Sequence, residues 1–114
     1  MTRITMLLAS GPGQPEGDVA HRLEAQVALT PQGMLDEAAL QAGAWPTRHV
    51  LPDGSERHGD IVRTAEGWAL RGHAGADSPH SMIEAQLFRP GDYITLRPPD
   101  GEKLIFRIVD VQAG

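Results

Sequence analysis

Hydrophobic and polar residues alternate with a period of two over much of this chain. Between residues 21 and 30, the apolar side chains at 23, 25, 27 and 29 share one face of an extended strand, while Glu24 and Gln26 share the other. Such alternation indicates a strand with one buried face. Further short stretches of β type lie at residues 4–9, 47–51, 57–63, 68–72, 82–88, 93–97 and 103–111. The pattern predicts a mainly β fold of about seven or eight short strands, closed as a small barrel or packed as a sandwich.

Two Pro-Asp-Gly or Pro-Pro-Asp-Gly turns predict β-hairpins in this fold. The first, Pro52-Asp53-Gly54, separates strands 47–51 and 57–63, and the second, at 98–101, separates strands 93–97 and 103–111. In the second hairpin both apolar sets face the core only if opposed residue numbers add to an even value. We therefore expect a three-residue connection, with Leu96 opposite Phe106 and Ile94 opposite Ile108.

One short flanking helix is predicted at about 34–42. Asp36 and Glu37 lie near its start, where acidic residues are favoured, and Gly43 follows it as a terminator. Residues 82–88 are predicted as a strand, and a helix that starts at Ser78-Pro79 is the alternative.

The order of several short motifs suggests an internal duplication of a strand–hairpin unit, over about 21–64 and 82–111. Leu-Glu-Ala-Gln-Val at 23–27, the 52–54 turn and Ile61-Val62 correspond to Ile-Glu-Ala-Gln-Leu at 83–87, the 99–101 turn and Ile108-Val109. The first copy is longer by about the length of the predicted helix. The alternative is that unrelated hairpins use the same turn residues for the same conformational reasons.

Composition is ordinary for one globular domain spanning 1–114. The chain has 114 residues, of which 40% are hydrophobic and 22% charged. It contains no cysteine, which excludes disulfides, thiolate catalysis and cysteine-bound metals. The apolar stretch at 4–9 is shorter than the roughly 7–15 residues of a signal peptide core, and no stretch is long enough for a membrane span. We therefore expect a cytoplasmic protein without membrane contact.

The charge of the chain argues against nucleic acid as a partner. Fifteen acidic and ten basic residues give a formal net charge of −5, and the basic residues occur singly along the sequence. A protein that binds nucleic acid generally presents a basic stripe or patch.

Histidines near the first turn are the candidate ligands for a small molecule or metal. His49 and His58 flank that turn and are expected to be opposite or diagonal neighbours, roughly 5–8 Å apart. His73, Asp77 and His80 form a second, sparser cluster. Neither set matches a zinc signature, so no metal site and no cofactor is predicted, and solvated histidines are the ordinary interpretation.

Arginine and tryptophan side chains complete the set of candidate binding residues. Arg48, Arg57, Arg63 and Arg71 lie on neighbouring predicted strands and could line one face as anchors for an anion, or serve as ordinary surface charges. Trp45 and Trp68 are the best candidate anchors for an interface, or else core residues. The residues selected for ligand or partner binding are Trp45, Arg48, His49, His58, Trp68 and Arg71.

A local resemblance concerns the C-terminal third of the chain. Ser78-Pro79, Gly91-Asp92, Pro99, Gly101 and Glu102 are similar to the closing segment of the C-terminal domain in the GreA-type transcript-cleavage factors. The N-terminal coiled coil of that family is absent, and no functional residue is transferred from it.

The expected function is that of a non-catalytic protein-binding or assembly module, through a protein partner or self-association. No serine lies in a nucleophile elbow, and no glycine-rich cofactor loop is present, so an enzyme is not favoured. The alternative is a small-ligand or metal-binding β-barrel, which could be enzymatic, that uses the His and Arg side chains around the first hairpin. An apolar pocket lined by Trp68, Arg71, His49 and His58 would favour the alternative, and a filled interior with an exposed apolar patch would favour the module.

Overall fold

Eight antiparallel strands form a closed barrel in the computed structural model, which describes residues 1–11, 13–40, 44–72, 81–85, 87–99 and 101–113. Each strand pairs with the next along the chain, and the last pairs with the first. The strands are β1 Thr2–Ser10, β2 Asp18–Val27, β3 Trp45–Val50, β4 Glu56–Thr64, β5 Gly67–Gly72, β6 Ser81–Glu84, β7 Tyr93–Arg97 and β8 Leu104–Ala113. The predicted mainly β fold of seven or eight strands is confirmed as an eight-stranded barrel.

Alternating side chains fill the barrel from every strand. The core residues of β1 have even numbers and those of β2 have odd numbers, because the two strands pair with Ile4 opposite Ala25. Phe106 on β8 is fully buried at the centre of this set. The buried core residues that form one cluster are Ile4, Met6, Leu8, Leu23, Ala25, Val27, Trp45, Ile61, Phe88, Ile94, Leu96, Phe106 and Ile108.

The interior of the barrel has no room for a ligand. The space left among its core side chains is apolar and amounts to about 10 Å³, close to the volume of a single water-sized probe. An eight-stranded barrel is just wide enough for side chains to fill it. A ligand or partner would therefore have to contact an end or the outside of the barrel.

The first hairpin forms as the sequence predicts. Leu51 N donates to Ser55 O (2.9 Å), which leaves Pro52-Asp53-Gly54 as the loop. Gly54 has a φ of 87°, a conformation that glycine adopts at little cost. The Asp53 carboxylate accepts hydrogen bonds from the Ser55 N–H and hydroxyl, which fixes the turn.

The predicted register of the second hairpin is wrong by two residues. Ile94 lies opposite Phe106 and Leu96 opposite Leu104, whereas the sequence predicted Phe106 opposite Leu96. Opposed numbers still add to an even value, so both apolar sets face the core as expected. The requirement of burial fixes which face points inward, but it leaves the loop length free to change in steps that preserve this parity.

The predicted helix at about 34–42 does not form. The chain makes one 3-10 turn, Glu37–Ala39, and residues 41–43 lie outside the described part. The first residues of the segment instead form hydrogen bonds with the chain just before them: Thr30 N donates to Met34 O, and Asp36 N donates to Ala28 O. These backbone hydrogen bonds make a small hairpin out of residues that a helix would have needed for its first turn.

Residues 82–88 are extended only in their first part. Strand β6 ends at Glu84, and no helix replaces the remainder among the described residues 85, 87 and 88. The two copies of the proposed duplication fall on β2–β4 and β6–β8 in the same order, and the duplication stays a hypothesis. No helix in the described part of the chain is long and apolar enough to cross a membrane.

Candidate functional site

An apolar groove lies at one end of the barrel, between the β2–β3 connection and the β6–β7 connection. It has a volume of about 460 Å³ and is partly open to solvent. Within the part of the chain that the structure describes, its lining residues are apolar, namely Met34, Leu35, Trp68, Ile83, Ala85, Leu87 and Phe88. We refer to this set as the apolar groove.

Backbone hydrogen bonds hold the two walls of the apolar groove together. Phe88 N donates to Gly33 O at 2.8 Å, which ties the β6–β7 connection to the β2–β3 connection. Gly33 has a φ of 90°, and a Cβ on it would lie 3.5 Å from Cγ of Arg89. The walls are therefore positioned by the small hairpin that replaced the predicted helix.

Trp68 is the aromatic anchor of the apolar groove. Its ring stacks on buried Trp45 with centroids 5.4 Å apart and an interplanar angle of 16°. The guanidinium of Arg63 lies 5.3 Å from the centroid of the Trp68 ring, within the range of a cation–π contact. Arg63 also forms an ion pair with Glu37 (3.6 Å) at the edge of the groove. The tryptophan is thus held from two sides and presents a fixed apolar surface.

A pair of histidines lies at the opposite end of the barrel. His21 on β2 and His49 on β3 bring their Nε2 atoms to 2.5 Å, with stacked rings whose centroids are 4.7 Å apart. Both rings contact the fully buried Phe106 edge-on, at 5.6 and 6.0 Å between centroids. We refer to His21 and His49 as the histidine pair.

Burial keeps the histidine pair uncharged at neutral pH. Desolvation, together with the neighbouring His21 and Arg57, lowers the pKa of His49 to about 4. Desolvation also lowers the pKa of His21, against an opposing effect of Asp18. Because both rings are neutral at pH 7, one Nε2–H can donate to the lone pair of the other.

The expected convergence of His49 and His58 is wrong. His58 lies opposite Arg48, and His49 lies opposite Arg57, so the two histidines are offset by one residue and point to opposite faces of the sheet, neither opposite nor diagonal to each other on one face. His49 faces the barrel interior, whereas His58 is exposed on the outside. Opposed residue numbers in this hairpin add to an even value, so the residues on one face are either all odd-numbered or all even-numbered. His49 and His58 differ in parity, and their side chains therefore lie on opposite faces.

Arg48 is engaged by carboxylates on the outer face. Its Nη2 donates to both oxygens of Glu24 at 2.9 and 2.8 Å, and its Nη1 lies 2.9 Å from Glu56. The hydrogen bonds that Arg48 donates to Glu24 raise the pKa of Arg48 above its ordinary value. This guanidinium therefore links β2, β3 and β4 and is not free to hold an anion.

The four arginines do not line one face as predicted. Arg71 is exposed on the outer face, where it lies 3.4 Å from Asp60 of the neighbouring strand. Arg57 and Arg63, opposite His49 and Trp68, share the lumen side of β4 at its two ends. Because side chains alternate between the two faces along each strand, Arg57 and Arg63 lie on the opposite face of the sheet from Arg48 and Arg71.

Metal ligands do not converge in the described part of the chain. No three or more His, Cys, Asp or Glu side chains are arranged there to hold an ion. The second histidine cluster of the sequence, His73, Asp77 and His80, lies outside the described residues.

Sequence reasoning selected Trp45, Trp68 and His49 but missed the residues that complete their surroundings. His21 was overlooked although it shares the odd numbering of the inward-facing residues on β2, a signal that alternation could have supplied. Met34, Leu35 and Leu87 were overlooked because they lie in connections, where no periodic pattern indicates which side chains converge.

Comparisons with protein-family models, with curated proteins and with solved structures find no match to this chain. The function must therefore be inferred from the geometry of the groove and of the histidine pair.

Proposed function

We propose that this protein is a non-catalytic binding or assembly module whose apolar groove takes the apolar side chains of another protein chain. The observation that carries the proposal is a groove of about 460 Å³ that seven apolar residues of the described chain line, beside a barrel interior that is already filled. Such an exposed apolar surface is typical of protein contact sites. The expected occupant is a segment with two or three large apolar side chains and no charge at its centre.

The chemistry of the groove favours a protein segment over a small polar molecule. Small-molecule sites usually place a few polar groups among their apolar walls to orient the ligand, and none of the lining residues that the structure describes supplies a polar side chain. Charged side chains stand at the edge instead, as the Arg63–Glu37 and Arg89–Asp92 pairs. An apolar centre with a balanced polar rim is the usual composition of a protein interface.

The alternative function, a small-ligand or metal-binding barrel, has two supporting observations. The volume of the groove falls in the range of roughly 300–1,000 Å³ that small-molecule pockets occupy. The histidine pair places two imidazole nitrogens close together at the other end. An apolar ligand would compete with a protein segment for the groove, and the experiment below separates the two.

Site-specific photo-cross-linking tests the proposal. A photoreactive amino acid replaces Met34 or Ala85, two exposed residues at the groove, in cells that naturally express the chain. The matched control carries it at Val19, which is 80% exposed near the opposite end of the barrel. We expect a defined protein adduct from both groove positions and not from Val19.

The identity of the adduct decides between the candidates. A captured protein supports the module only if the purified partner also binds the purified chain and contacts the groove residues in the mapped cross-link. Capture of a second copy of this chain assigns the groove to self-association. A lipid or small-molecule adduct supports the alternative, and equal labelling from Val19 contradicts a role for the groove.

The cytoplasm is the compartment that we propose for this module. Ile4, Met6 and Leu8 of strand β1 lie in the core of the folded barrel.

A further inference from the structure

We propose that the histidine pair is a proton-sensitive contact that joins β2 to β3 at neutral pH and separates in acid, when both imidazoles become protonated. The inference concerns the end of the barrel opposite the apolar groove. It stands whether or not the groove binds a protein.

The geometry of the histidine pair leaves room for a single hydrogen between the rings. The two Nε2 atoms lie 2.5 Å apart, so only one of them can carry a hydrogen while the other offers its lone pair. The pairing of β2 with β3, in which Leu23 lies opposite His49, holds the two side chains in this position. Phe106 packs against both rings from β8.

A first proton is compatible with this contact, but a second is not. With one added proton, an imidazolium donates from Nε2 to the lone pair of the neutral partner, which is a charge-assisted hydrogen bond. With two, both Nε2 atoms carry hydrogens and both rings are positive, so that no acceptor remains and the rings repel each other. The doubly protonated state therefore requires the rings to move apart.

The charged groups around the histidine pair cannot neutralise two protons. Among the described residues, Asp18 on β2 acts favourably on a charged His21, and Arg57 on β4 acts unfavourably on a charged His49. The Asp18 carboxylate already accepts hydrogen bonds from Gln14 Nε2 (2.9 Å) and Ala20 N (2.8 Å). From β8, the pair meets the uncharged ring of Phe106.

The direction of the pH effect follows from these pKa values. In the unfolded chain histidine has a pKa near 6.5, whereas burial lowers that of His49 to about 4 in the folded barrel. The unfolded chain therefore binds protons more readily between these values. The stability contributed by the pair is fully present above about pH 6.5 and is lost as the pH falls towards 4.

Urea unfolding at pH 7.0 and 4.5 tests the inference on the wild type and on His49→Gln and His21→Gln. The matched control is His58→Gln, because His58 lies on the outer face of the adjacent strand. We expect the unfolding equilibrium constant of the wild type and the control to rise by about 60-fold more than that of His49→Gln between the two pH values. Equal pH dependence in the wild type and His49→Gln would overturn the proposal.

Nitrogen-15 NMR of the wild-type imidazoles provides a test that needs no variant. At pH 7 we expect one protonated and one unprotonated Nε2 in the pair, and below pH 5 we expect shifts in the amide signals of β2 and β3 that accompany titration of both rings. Full protonation of both rings above pH 6 without those amide shifts would contradict the inference. Saturable binding of Zn²⁺ by both Nε2 atoms at pH 7 would also contradict it and assign the pair to a metal.

Discussion

Gly59 on β4 is the position where a single methyl group should most clearly disrupt the barrel. A Cβ on this buried residue would lie 2.5 Å from the carbonyl oxygen of Arg71 and 3.1 Å from Oγ1 of Thr47. The first neighbour is backbone of the paired strand, so no side-chain rotation can relieve the contact. The change Gly59→Ala must therefore displace β5 from β4 or distort one of them.

The cross-strand neighbour of Gly59 provides a matched control. Gly72 lies directly opposite Gly59 in the β4–β5 pair, and a Cβ there would meet no heavy atom of the described residues within 4 Å. Neither glycine has a positive φ, so alanine is conformationally acceptable at both. The two variants carry the same chemical change and differ only in what the methyl group meets.

The two substitutions should change the free energy of unfolding in opposite directions. Overpacking in a core costs about 1–3 kcal/mol, and the rigid backbone contact places Gly59→Ala near about 2 kcal/mol less stable than the wild type. Gly72→Ala should be stabilised by about 0.5 kcal/mol, because alanine restricts the unfolded chain. Urea unfolding followed by the fluorescence of Trp45 and Trp68 measures both values. Equal effects of the two substitutions would refute the close approach of β4 and β5.

Three further changes test other parts of the barrel. Phe106→Ala removes a fully buried ring and should lower the free energy of unfolding in urea by about 3–5 kcal/mol. Tyr93→Ala, at a residue 58% exposed on the neighbouring strand, should lower it by less than about 1 kcal/mol. Similar losses for the two variants would contradict the faces assigned to these residues. Gly17→Ala should reduce the free energy of unfolding by more than about 2 kcal/mol and so lower the thermal midpoint. Gly17 has a φ of 81°, and a Cβ added there would collide with the carbonyl oxygen of Leu8. An unchanged midpoint would contradict the conformation of that turn. Hydrogen bonds from the Ser55 hydroxyl and N–H lower the pKa of Asp53. The stabilising effect of the Asp53 carboxylate is therefore present above about pH 3.8 and disappears as the pH falls further. Thermal unfolding of Asp53→Asn between pH 5 and 2.5 should show a weaker acid dependence than that of the wild type.

The strands could be predicted because each exposes one face to solvent and buries the other. The alternation in β2 identified Leu23, Ala25 and Val27 as core residues, because every second side chain of a half-buried strand faces the core. The same pattern could not distinguish a barrel from a sandwich, because closure depends on the pairing of β1 with β8, residues about a hundred positions apart.

The errors have a common physical origin in long-range contacts. The helix predicted at about 34–42 had suitable local residues, but backbone hydrogen bonds to Ala28 and Thr30 and a contact between Gly33 and Phe88 outweighed that local preference. The groove residues Met34 and Leu87 converge only through those same contacts. A site made by two connections leaves no periodic signal in the sequence.

The histidine pair could have been predicted in part. The parity argument used for the second hairpin would, on the first, have placed His49 and His58 on opposite faces, and the numbering of β2 would have placed His21 on the inner face with Leu23. What the sequence does not contain is the stagger between β2 and β3, which brings His21 diagonally against His49. That stagger depends on the length of the β2–β3 connection.

The central claim is that the apolar groove binds a segment of another protein. The most direct measurement is the dissociation constant of the cross-linked partner, in purified form, for the wild type, Ala85→Asp and Val19→Asp by calorimetry. A carboxylate at the exposed edge of the groove should weaken binding by about 30-fold, because it must be desolvated against apolar side chains, while Val19→Asp should stay within about twofold of the wild type. Equal affinities for all three proteins would contradict the account.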